Sequence, residues 1–187
     1  MRALRKWATG RRGCVLVAAM TVATFVVLSV GVVLLFRARF APRHVETLEL
    51  IEERTGWVFP PETRIVSAGQ DNLGMDFAIW AVLEIPRSEA RELFATPPPG
   101  REPADDRLTG EFAFDEGEGE LPAICRHMHQ GYWAFAPDWV PPLPEHFQRY
   151  VAAYWFAHRS YDVREVVVEI GDEESPTAAA YVFYTTY

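Results

Sequence analysis

Cys125-Arg126-His127-Met128-His129 is the segment of this 187-residue chain whose side chains come closest to a reactive set. On a strand, successive side chains alternate between faces, so Cys125, His127 and His129 would point the same way. A thiolate and two imidazoles are good ligands for zinc or copper, and Met128 adds a soft thioether beside them. All three candidates fall within five residues, however, and no fourth ligand is fixed by a structural zinc spacing. A half-buried strand with satisfied histidines accounts for the same residues. The expectation is therefore that the three are structural, with metal binding as the rival reading.

A second candidate set is aromatic. Gly131-Tyr132-Trp133 and Asp138-Trp139 place flat ring faces beside a carboxylate in a Pro-rich segment. Such platforms stack on sugars or peptides and anchor interfaces, which makes Tyr132, Trp133, Asp138 and Trp139 a candidate ligand or partner surface. Tryptophans in such places also seal small cores beneath loops. The run Asp115-Glu116-Gly117-Glu118-Gly119-Glu120 has the oxygens and glycines that calcium favours but lacks a calcium-loop spacing, and reads as a solvated acidic loop. A nucleophile elbow, a Ser-x-x-Lys pair, a His-Glu-x-x-His helix, a phosphate loop and a dinucleotide fingerprint are all absent from the sequence. No catalytic residue and no cofactor are expected, although acids are plentiful enough for a carboxylate pair whose separation the sequence does not reveal.

The elements that hold these residues begin with an anchor. Residues 14–36 are 23 consecutive uncharged residues dominated by Val, Leu, Ala and Phe, long enough as a helix to cross a bilayer core of about 30 Å. The run is too long for a cleaved signal and ends in Phe36-Arg37-Ala38-Arg39-Phe40, without small cleavage-site residues. Arg2, Arg5, Lys6, Arg11 and Arg12 precede it, against Arg37, Arg39 and Arg43 close behind. That bias places residues 1–13 in the cytoplasm as a basic tail, 37–43 as a juxtamembrane linker, and 44–187 outside as an extracytoplasmic domain of the plasma membrane.

Charge divides at the same place: residues 1–40 carry +7, residues 41–187 carry −15, and the chain totals −8. An acidic domain is repelled by phosphates, so nucleic acid is not an expected partner. The expected partners are the lipid bilayer, through residues 14–36, and an envelope protein. The bilayer keeps Cys14 and Cys125 apart, so no intrachain disulfide is expected, and Cys125 reads as buried and inert.

Within the domain, apolar residues at helical spacing predict a short helix over 46–54 that Gly56 stops. Thr63 to Ala68 and Met75 to Ile85 predict a hairpin around the Asp71-Asn72-Leu73-Gly74 turn, and Pro86-Arg87-Ser88-Glu89 opens a second helix. Thr96 to Pro122 reads as a long surface loop with a short strand near Glu111 to Phe114. Residues 149–158 fit a helical stripe or a strand equally well, with a helical turn leading into a strand preferred. Val163 to Ile170 and Ala178 to Thr186 form a last hairpin. The predicted fold class is α+β, an N-terminal transmembrane helix followed by an antiparallel sheet of about five strands with two short helices.

Thr55-Gly56-Trp57-Val58-Phe59-Pro60-Pro61, the following hairpin, Ile85-Pro86 at a helix start, and the closing Tyr181-Val182-Phe183-Tyr184 resemble domains of uncharacterised bacterial membrane-anchored proteins and lipoproteins. The resemblance covers about half of the exported part and implies no activity, ligand or catalytic residue. The functional expectation is a membrane-tethered extracytoplasmic binding or interaction module. Its alternatives are an exported metal-binding protein and an envelope hydrolase using carboxylates.

Overall fold

A computed structural model describes residues 11–39, 41–73, 76–98, 111–129, 131–157, 162–171 and 174–186. They fall into two units, Met1–Ala41 and Pro42–Tyr187. In the first, helix α1 (Arg11–Arg39) contains Val15–Leu35, long and apolar enough to cross a membrane. Its apolar side chains are exposed, Phe25 and Leu35 by 71% and 72%, unlike those of a core helix. Thr21 and Thr24 donate their hydroxyls to the carbonyls of Val17 and Met20 at 2.9 Å, so these polar groups are satisfied within the helix.

The second unit is built on one open antiparallel sheet. Its strands are β1 (Arg43–His44), β2 (Arg64–Leu73), β3 (Asp76–Pro86), β4 (Glu111–Gly119), β5 (Phe147–Ala157), β6 (Asp162–Glu169) and β7 (Thr177–Thr186). They lie in the order β1-β2-β3-β7-β6-β5-β4. Helices α2 (Leu48–Thr55), α3 (Arg87–Phe94) and α4 (Arg126–His129) and a 3-10 turn (Tyr132–Phe135) complete it. The α+β class stands, but among the described residues the sheet has seven strands where about five were expected, and the unit has three helices, not two.

Strand β1 was not foreseen, and three further segments differ from the sequence reading. The acidic run 115–119 continues β4, because an edge strand tolerates charge that a central one would not. Residues 147–157 form a strand throughout, without a helical turn, pairing with both β4 and β6. Cys125 to His129, expected as a strand, enters a helical turn instead.

Both faces of the central strands are covered, which is why β6 is buried along nearly its whole length and reads as a Val run. On the first face, Ile51 of α2 and Ala90 and Phe94 of α3 pack on Ile79, Leu83, Val166, Val168 and Val182. Gly56, at φ 80°, ends α2 by donating to Glu52 O at 2.7 Å, a left-handed conformation that glycine adopts without strain. Arg87 at the start of α3 donates to the carbonyls of Ile170 and Gly171, fixing the helix to the end of β6. On the second face, Cys125, Met128, Trp133 and Val140 cover Trp80, Val167, Tyr181 and Phe183. Fully burying a side chain such as Ile51 or Phe94 stabilises by about 1.5–3 kcal/mol.

Candidate functional site

The segment Cys125–His129 is held by a residue that sequence reasoning did not single out. Glu165 of β6 is fully buried on the second face, and its carboxylate accepts from the backbone N–H of His127 at 2.8 Å and of Met128 at 2.9 Å. The same carboxylate lies 2.8 Å from Nδ1 of His127. The imidazole is packed in parallel near Phe183 and edge-on to Tyr132.

The strand alternation that would have aligned Cys125, His127 and His129 is absent, since a helical turn rotates side chains by about 100° per residue. The side chain of His129 lies outside the described ones. Among the described residues, no group of three or more His, Cys, Asp or Glu side chains is placed to hold a metal ion.

Cys125 is fully buried, with Sγ 3.7 Å from Val166 O. Burial first, and then the charges of Glu165 and Asp115, push its thiol well above its ordinary range, so it is neither a ready nucleophile nor a ready thiolate ligand. Above about pH 8.5 an unfolded chain loses the proton that native Cys125 keeps. The native state then binds more protons, and stability falls as pH rises. The phenols of Tyr150 and Tyr181, raised by burial and then by Asp115 and Glu169 respectively, extend the loss to higher pH. The urea midpoint of the full chain in nonionic micelles should therefore fall between pH 7 and pH 10, and fall less in Cys125→Val. An equal fall in both proteins would remove the thiol from this account.

The aromatic set divides. Trp133 is a core residue that donates Nε1 to Pro141 O at 3.0 Å and packs edge-on against Tyr181. Tyr132 is half-buried, and its carbonyl accepts from Trp80 Nε1 at 3.1 Å. Trp139, 36% exposed, stacks on His44 at 4.1 Å and donates Nε1 to Ala68 O, which pins its loop to β2. Asp138 beside it is exposed. Trp133 thus seals the second face, while Asp138 and Trp139 sit by the β1–β2 edge.

A concave site with convergent polar groups lies at the opposite edge, a cleft of about 360 Å³ where β4 meets β5. The pairing of these strands is irregular between Gly117 and Gly119, and such bulges re-aim neighbouring side chains. Arg91 of α3 reaches Glu116 of β4, Nε to Oε1, at 2.6 Å. Glu118 and Arg149 add a second carboxylate and a second guanidinium to the lining, over a floor of Val151 and Ile170. Tyr150 contributes to the lining, but its phenol turns to the second face, where it packs on Phe147 and donates to Asp115 Oδ2 at 3.4 Å. A Cβ on Gly117 would come within 2.6 Å of that hydroxyl, so glycine is what lets the phenol lie against β4.

A buried ionic group occupies the far end of the first face. Arg164 lies 3.3 Å from Asp162 and 4.2 Å from the Trp155 ring centroid, and Tyr184 OH is 3.5 Å from Asp162. Paired this way, it reads as part of the packing. Comparison with known proteins finds no matching family model, no matching curated protein and no matching solved structure.

Proposed function

We propose that the chain is a membrane-tethered extracytoplasmic binding module: α1 anchors it, and the cleft between β4 and β5 takes the ligand. The cleft carries this reading, because ion-paired polar groups converge there over an apolar floor at a bulged edge. The exported orientation rests on the five basic residues before the span against three after it. A second reading, hydrolysis at the envelope, draws on Glu116 and Glu118, which both line the cleft. Binding is preferred because the Glu116 carboxylate is already engaged by Arg91.

The test of the tether uses Glu174, exposed in the turn between β6 and β7. Glu174→Cys in a Cys14→Ser background leaves Cys125, which is buried, as the other thiol. A membrane-impermeant maleimide should label position 174 in intact cells. Labelling only after permeabilisation would place the domain in the cytoplasm and end the extracytoplasmic reading.

A further inference from the structure

We infer that the cleft between β4 and β5 takes a neutral saccharide; this rests on the binding reading above and names its ligand class. The first argument is charge. Arg91 and Arg149 face two carboxylates, Glu116 and Glu118, and one of these guanidiniums is already 2.6 Å from its carboxylate. The lining charges balance, so the cleft as a whole favours neither a cation nor an anion. A neutral polyol suits that balance.

The second argument is hydrogen-bonding shape. Arg91 meets Glu116 through Nε, and a guanidinium carries further N–H donors in a fixed planar fork. Carboxylate oxygens offer several acceptor sites each. Adjacent ring hydroxyls, each both donor and acceptor, match alternating forks of this kind.

The third argument is the floor. Ile170, half-buried above the buried Val151, presents an apolar surface beneath the polar rim, suited to the C–H face of a sugar ring. The volume, about 360 Å³, lies at the small end of small-molecule sites and suits roughly one or two rings.

The experiment uses the full chain in nanodiscs of zwitterionic lipid. Saturation-transfer NMR is run against cellobiose, maltose and N,N′-diacetylchitobiose, with inorganic phosphate and glycine as charged probes. At least one disaccharide should bind. Arg91→Ala, at a side chain 73% exposed, should weaken it roughly tenfold without changing the melt. Glu118→Ala, at an exposed carboxylate of the cleft lining, should weaken it as much. Val66→Ser, on the exposed side of β2, should not. Phosphate or glycine binding that Arg91→Ala abolishes, with no disaccharide bound, would overturn the saccharide and keep the cleft. Disaccharide binding indifferent to both cleft variants would overturn the cleft. No binding by any probe overturns the saccharide inference.

Discussion

Glu165→Leu should lower the unfolding free energy of the domain by about 2–6 kcal/mol, because two backbone donors lose their buried acceptor. The carboxylate is fully buried and takes the N–H groups of His127 and Met128 together with His127 Nδ1. Leucine fills the volume but leaves those donors without their acceptor, and each buried donor stranded in this way costs about 1–3 kcal/mol. Near 150 residues, a loss of this size shifts the melting temperature by roughly 5–20 °C. Glu165→Gln, which keeps an amide oxygen, should lose about half as much. Thermal unfolding of the full chain in micelles, followed by near-ultraviolet circular dichroism, measures both. A loss below about 1 kcal/mol for Glu165→Leu would mean that residues 125–129 are held by apolar contact alone.

The second large effect is expected on the other face. Trp57 is 1% exposed and meets Phe94 edge-on with ring centroids 5.2 Å apart, joining the segment after α2 to α3. Trp57→Ala should cost about 3–5 kcal/mol through lost transfer energy and an unfilled cavity. Its indole N–H finds no hydrogen-bond acceptor among the described residues, so Trp57→Phe sacrifices volume only and should cost well under half as much. Equal losses for Phe and Ala in the same melting experiment would show that the indole N–H matters in a way this packing does not explain.

Both effects arise where sequence and structure part company in instructive ways. The helix stopping at Gly56, the start at Arg87 and the Val-rich β6 were legible because glycine conformation, the Pro86 boundary and β-branching act locally. The strand character of 115–119 was not. Charge there signalled solvent, and an edge strand is solvent-exposed while still paired on one side; Gly117 and Gly119 were the available hint of a bulge. Residues 147–157 hid their period because both faces of that strand are covered, so apolar residues fall at every spacing.

The site was less legible than the fold. Glu165 stands in sequence as one acid within a Val run, and only the packing of α4 on the second face gives it partners. Trp133 and Trp139, six residues apart, end in a core and at an edge because the segment between them turns across the sheet. The cleft gathers Arg91, Glu116 and Arg149 from three elements far apart in the chain, and no local motif records that meeting.

The most direct test of a tethered module with its binding site at the β4–β5 edge is hydrogen–deuterium exchange of the full chain in two settings. One is the chain in membranes isolated from cells that make it; the other is the same chain purified and reconstituted into pure lipid. Exchange at residues 116–118 and 149–151 should be slower in the native membranes, while the Val66 side of β2 exchanges alike in both. Equal exchange at the cleft, with protection at some other surface of the domain, would contradict the assignment.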